Sequence, residues 1–340
     1  MKRDLPDSEP VPRLRRSQNI LAFDQDWQVP AATEKAAHAA IAGLGQPLDF
    51  EYLGIPWATA IDGLRGDAES VGRVMMAVKD ASLTPLAAPR RVTVAQHIHA
   101  MHFAELFKAC GVTDIFWSHA VHDQPTVRGM RIHPFPLFPA QAPEPSRLPL
   151  DRPRKYLANF IGAYNPAIYL TNVRQVIFDD PNAHGDLLIL KRDAWHFDRA
   201  VYEEQVKGQR PEEARLALEN RHAQEYLDAI NASWFTLCPS GSGPNSIRIF
   251  ESLHLGSIPI ILTTHLRLPS SAAAWSAAAI IEEDSEAGYD RAIARARAMS
   301  PAERTAMLEA GRALADRVGP TAYAGLVMAG LSAPNATQSN

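Results

Sequence analysis

The sequence predicts an α/β protein made of two domains that face each other across a cleft. Three observations lead there. A chain of 340 residues exceeds what one hydrophobic core usually organises. Apolar stretches of helix and strand length alternate along it, the pattern of parallel sheets covered on both faces. Residues 132–154, IHPFPLFPAQAPEPSRLPLDRPR, hold seven prolines and so exclude a continuous helix or a central strand. We therefore expect two Rossmann-like domains, residues 21–135 and 154–318, joined by a proline-rich linker at 136–153 that acts as a hinge. An arm at 1–20 precedes them, and a C-terminal helix and tail at 319–340 follow.

In the first half, residues 31–44, 69–79 and 98–109 carry helical periodicity, whereas 91–94 and 113–117 read as short strands. After the linker, KYLANFIG is a strand, 167–176 a helix, 185–190 a strand and 211–230 a long helix. Next come a strand at 233–238, a Gly/Pro loop, a helix at 246–255 and a strand at 257–262. Helices at 286–299 and 301–318 close the domain, with Ser300 as N-cap and Pro301 as first helical residue. Residues 332–340 are expected to be a disordered tail.

Composition excludes several classes. A net charge of -4 does not support bulk electrostatic binding of nucleic acid. Cys110 and Cys238 are the only cysteines and form no CxxC pair, so neither a disulfide framework nor a thiolate metal site is indicated. Residues 1–16 lack the apolar core of a secretory signal, and the apolar stretches 255–262 and 272–281 are far short of the roughly 20 residues of a membrane span. The expected location is cytoplasmic, with peripheral contact at the inner face of the membrane allowed. The sequons at Asn231 and Asn335 then carry no glycosylation meaning.

The chemistry concentrates in WFTLCPSGSGPNSIRIFESLHLGSIPIIL, from Trp234 to Leu262. Gly241 and Gly243 permit close backbone approach and positive φ, and Asn245 or Ser246 can cap the following helix, whose first amides make an anion seat. Ile249, Phe250 and Leu253 share one helix face, while Arg248 and Glu251 lie on another. A cation in a first turn has the wrong sign for the helix dipole, so a bound diphosphate would explain Arg248, with Glu251 placed for ribose hydroxyls. On spacing alone an ordinary Arg248–Glu251 surface pair remains open.

This stretch resembles the C-terminal half of the exostosin-like glycosyltransferases. Pro239, Gly241, Gly243, Ser246, Arg248, Glu251, Gly256, Ile258, Pro259, Ile261, Leu268 and Pro269 fall in that family's order. The likeness continues in Trp275, in Glu282 and Asp284, in the closing Ser-Pro-x-Glu, in Gly311 and Arg312, and upstream in RKYLANFIG from Arg154 to Gly162. Ser252 and Ala274 depart from the family pattern, where Ala and Asp are usual.

The resemblance implies a GT-B type fold and inverting transfer from a nucleoside diphosphate sugar, a UDP-sugar first, to an acceptor hydroxyl on a glycan or glycolipid. It implies no cofactor and no metal. Arg248 would bind the diphosphate and Glu251 the ribose, with Arg154 and Arg174 facing the phosphates from the opposite side.

The acceptor and the base are expected from the first half, where six of twelve histidines lie between His97 and His133. QHIHAMH places His99 and His102 for a shared helical face. SHAVHD sets His119, His122 and Asp123 just past a strand ending at Trp117. Strand ends collect catalytic groups, so His119 or Asp123 is the candidate base. Core or capping histidines stay open as the plainer reading. Two other functions also remain: a nucleotide-binding scaffold of polysaccharide assembly without transfer, and a metal-dependent hydrolase using the histidines.

Overall fold

The computed structural model describes residues 14–66, 69–146, 148–183, 185–193 and 213–332. The arm up to residue 13, the tail beyond 332 with its Asn335 sequon, and the start of the helix expected at 211 lie outside these residues.

The first half contains β1 (Arg15–Ser17), β2 (Ile20–Ala22), α1 (Thr33–Ala42), β3 (Glu51–Gly54), α2 (Trp57–Gly66) and α3 (Glu69–Leu83). After them come β4 (Arg91–Ala95), α4 (Ala104–Ala109), β5 (Asp114–Trp117), β6 (Thr126–Val127) and β7 (Met130–Pro134). They form a seven-stranded sheet in the order β1, β2, β3, β4, β5, β7, β6, parallel from β2 to β7 with an antiparallel strand at each edge. Side chains alternate between its faces as the pleat requires. Leu53, Ile115 and Trp117 join the core under α2, α3 and α4, whereas Tyr52, Val94 and Phe116 join the core under α1.

The second half contains β8 (Tyr156–Gly162), α5 (Val173–Phe178), β9 (Leu187–Lys191), α6 (Glu213–Asn231), β10 (Ser233–Pro239), α7 (Ile247–Leu255) and β11 (Ile258–Leu262). It closes with α8 (Ala272–Ala278), β12 (Ile280–Glu282), α9 (Glu286–Ala298), α10 (Pro301–Val318) and α11 (Tyr323–Ser332). Its five strands are all parallel, ordered β12, β11, β10, β8, β9. Because β9 lies on the far side of β8 from β10, the strand order reverses between β8 and β10. Such a switch point leaves a crevice at the strands' carboxyl ends. The two parallel sheets are the GT-B arrangement that the sequence predicts.

Several elements differ from expectation. The helix expected at 167–176 is shorter and later, α5. Residues 98–109 split into a 3-10 turn at Ala100–Phe103 followed by α4. Residues 132–134, expected in the proline-rich segment, extend β7, which tolerates Pro134 at its last position.

The linker is not a free hinge. The Gln141 amide donates to Glu251 Oε1 at 2.9 Å, the His254 ring bonds the Ala142 carbonyl at 2.7 Å, and Arg152 donates to the Leu255 carbonyl at 2.7 Å. It is a strap laid along α7. The C-terminal helix α11 returns to the first sheet, where Tyr323, Ala324 and Val327 share a core with Tyr52, Phe116 and Phe135.

Candidate functional site

Arg248 and Arg174 come together at the switch point. Gly162 ends β8, and a Cβ there would stand 2.8 Å from Arg248 Nη2, so the strand's closing glycine makes room for the guanidinium. Arg248 donates to the Ile161 carbonyl, lies 4.8 Å from the Phe160 ring centre and 5.8 Å from that of Tyr226, and its buried Nε has no partner. Arg174, on the first turn of α5, is 6% exposed. It donates to the carbonyls of Ser240 at 2.8 Å and Ala163 at 3.0 Å, and covers Tyr169 at 4.4 Å and Phe160 at 5.5 Å. Burial first, and the Arg248 charge second, pull Arg174 down to about 9.

Neither arginine has a carboxylate within ion-pair distance among the described residues. Two adjacent cations, one of them buried, that share no direct ion pair make a site that an anion would stabilise. Asp284 is near enough for its charge to act on Arg174, and its Oδ2 accepts from Thr171 Oγ1 at 2.9 Å and from the Ser240 hydroxyl while its buried Oδ1 has no partner. Burial raises its carboxyl above the usual range.

The α7 N-terminus opens on the same crevice. Ser246 occupies the N-cap position in extended conformation, but its hydroxyl makes no capping bond; the Ile249 amide is taken by the Ser246 carbonyl at 3.1 Å, and those of Ile247 and Arg248 keep donors to offer. Gly241 stands beside Arg174, whose Nη2 would be 3.4 Å from an added Cβ. Gly243 meets the other half of the molecule, since a Cβ there would be 2.7 Å from both His119 Nδ1 and Ile98 Cγ2. Neither glycine has positive φ, so closeness rather than backbone conformation calls for them.

Four expected residues have other places. Arg154 stands at the opposite end of the sheet, donating to the carbonyls of Ser233 at 2.6 Å and Gly256 at 2.7 Å, with its charge over Trp234 at 5.0 Å. β8 by itself carries the chain roughly 20 Å from Tyr156, two residues past Arg154, to Gly162. Arg154 ties the amino ends of the strands, and burial pulls it down to about 10.

Glu251 is 2% exposed, and protein groups occupy both its oxygens, the Gln141 amide on one and the Tyr226 hydroxyl at 2.6 Å on the other. It anchors the strap, and burial raises its carboxyl above the usual range. The spacing-based surface pair with Arg248 is also absent. Asn245 donates to the Ser118 carbonyl across the cleft and accepts the Ser246 amide at 2.8 Å. Asp123 is exposed on its loop.

The first half meets this site through the ends of β4 and β5. His119 is 5% exposed, its ring bonds the Gln96 backbone, and its Nδ1 has no partner. Burial pulls it down to about 3. His97 Nε2 pairs with Asp62 Oδ1 at 2.9 Å, and its Nδ1 accepts the His99 amide at 3.1 Å. The other Asp62 oxygen takes Gln28 Nε2 at 2.7 Å. His99 lies 5.5 Å from the His97 ring and stacks on His102 at 5.2 Å. The sequence marked the histidines but gave no sign of Asp62 or Gln28, which come from an earlier helix and loop. Among the described residues no group of three or more His, Cys, Asp or Glu is placed to hold a metal ion. No described helix is long and apolar enough to cross a membrane.

The sequence matches the description of the Exostosin GT47 domain over residues 93–288. Human ribitol-5-phosphate xylosyltransferase 1 is 30% identical over 148 residues, 42% of this chain and 28% of that protein. The mouse protein of the same name is 31% identical over 145 residues, 41% of this chain and 28% of that one. The matched stretch thus spans little more than a quarter of these relatives. Among solved structures, an α,α-trehalose 6-phosphate synthase from Burkholderia multivorans aligns with 94% of this chain and 85% of its own, at TM-score 0.41 and 12% identity. A trehalose-6-phosphate structure from E. coli aligns with 74% and 75%, at TM-score 0.38 and 12% identity.

Proposed function

Because the chain belongs to the Exostosin GT47 family, we propose that it transfers a sugar from a nucleoside diphosphate sugar to an acceptor hydroxyl of a glycan or glycolipid. The observation that carries this reading is the pair Arg174 and Arg248, in no ion pair among the described residues and gathered on Phe160 at the switch point beside open helix amides. A diphosphate presents the opposite charge on that scale. As the anomeric bond breaks, charge accumulates on the departing diphosphate, and these groups hold it without reorganisation.

Two arginines and a helix N-terminus supply the positive charge that a metal ion supplies elsewhere, so the reaction is metal-independent. Transfer is inverting, with a base from the first half taking the acceptor proton. UDP-sugars are the expected donors, and UDP-xylose heads the panel because the relatives are named xylosyltransferases.

Calorimetry with UDP, together with transfer and hydrolysis assays over a UDP-sugar panel, tests the reading. UDP binding with turnover of at least one donor in EDTA is expected. Binding without any turnover would favour the scaffold, and activity lost in EDTA and restored by a divalent ion would overturn metal independence.

A further inference from the structure

An attacking hydroxyl needs a base with a free ring nitrogen that an acceptor can reach from solvent. Besides His122, which is exposed on the seam and whose ring makes no hydrogen bond or ring contact among the described residues, four histidines approach the cleft on the first half, and their bonding separates them. His119 has an unpartnered Nδ1, but it is sealed beneath Gly243, 5% exposed. Both nitrogens of His97 are used, one by Asp62 and the other by the His99 amide. His102 stands outermost in the stack and is exposed. His99 alone is both held and open. Its ring lies between those of His97 and His102, its backbone is fixed by the bond to His97 Nδ1, and neither ring nitrogen has a hydrogen-bond partner among the described residues. Its neighbour Ile98 touches the glycine loop at Gly243, so this strand-end turn borders the donor site directly.

We propose that His99 is the general base of the transfer, with Asp62 and His97 as positioning residues that fix the turn carrying it. This rests on the glycosyltransferase reading above. A lone pair of the acceptor oxygen forms the new bond to the anomeric carbon while its proton passes to a His99 ring nitrogen. The anomeric carbon–oxygen bond breaks, and its electron pair leaves with the diphosphate toward Arg174 and Arg248. The imidazolium then gives its proton to solvent.

The charges around His99 set its working range. Partial burial lowers its pKa below the ordinary imidazole value, the charges of Arg65, His97 and His102 lower it further, and Asp62 opposes them. The ring is therefore in its basic form at neutral pH. Activity should rise as His99 loses its proton, giving an acid limb below the usual imidazole range.

The test is a pH profile of sugar transfer for the wild type and for His99→Ala, His99→Gln, Arg65→Gln and His119→Ala, with UDP affinity measured calorimetrically on each. Both His99 variants should lose about 100-fold or more in kcat and lose the acid limb, with UDP affinity within about twofold of wild type. Arg65→Gln should keep turnover but move the limb to higher pH. Near-normal turnover in His99→Gln, or a limb that survives it, overturns the proposal, as does a loss confined to His119→Ala. A wild type that binds UDP yet transfers nothing would instead overturn the glycosyltransferase reading itself.

Discussion

Arg174 and Arg248 are two cations gathered on one aromatic ring, and their cost to the fold is what makes them informative. Arg248→Ala removes a charge-assisted contact to a bound diphosphate and should weaken UDP affinity by about ten- to a hundred-fold while leaving uridine affinity unchanged. Equal UDP affinity in the variant would remove the donor-site assignment. Glu251 behaves differently, because the protein itself fills both its oxygens. Glu251→Ala should destabilise the chain by about 1–3 kcal/mol through the orphaned Gln141 amide and Tyr226 hydroxyl, with uridine affinity untouched. A fall in uridine affinity at unchanged thermal stability would return Glu251 to the ribose.

Neighbouring strands of the first sheet are pinned by one buried carboxylate at the start of β5. Asp114 has no side-chain exposure and receives Arg90 at 2.7 Å, Arg131 at 2.9 Å, His133 at 2.8 Å and Thr113 Oγ1 at 2.8 Å. Burial alone would raise its pKa, but the hydrogen bonds from His133, Arg90, Thr113 and Arg131 outweigh it and hold the carboxyl well below the usual range. A carboxylate depressed on folding stabilises above its unfolded pKa, and that contribution fades as pH falls through the folded value. Asp114→Ala should therefore cost about 3–5 kcal/mol near neutral pH, with the gap narrowing on acidification. Chemical denaturation of both proteins between pH 7 and about pH 2 would show it, and a gap that stays constant would contradict the linkage.

The two halves are joined by more than the linker. Val121 bridges Leu266, the His122 amide donates to the His265 carbonyl at 3.0 Å, the Arg267 amide donates to the Ala120 carbonyl at 2.8 Å, and α11 crosses back to the first sheet. Gly243 sits in this seam under His119 and Ile98. Gly243→Ala should strain it by about 1–3 kcal/mol, and adding Ile98→Ala should recover part of the lost melting temperature. A Gly243→Ala protein as stable as wild type would show that the seam opens freely there.

Alternation of apolar period and turn residues was enough for the sequence to determine the second sheet almost strand by strand, because β8, β10, β11 and α7 each carry a complete local signal. The same holds for Ser300, which caps α10 ahead of Pro301 as its residue type predicts, with Glu303 completing a capping box. Family resemblance added the arginine pair, and Arg174 and Arg248 do meet. Local signals end where partners lie far apart in the chain. Nothing within RKYLANFIG distinguishes an arginine that faces phosphate from Arg154, which ties strand ends, and nothing near Glu251 announces Tyr226 and Gln141. Only the tertiary structure placed α11 on the opposite half, turned the proline-rich linker into a strap, and sorted four histidines by what else each ring touches. Hydrogen-bond partners and burial are properties of contacts between distant segments, and a sequence fixes those only by folding.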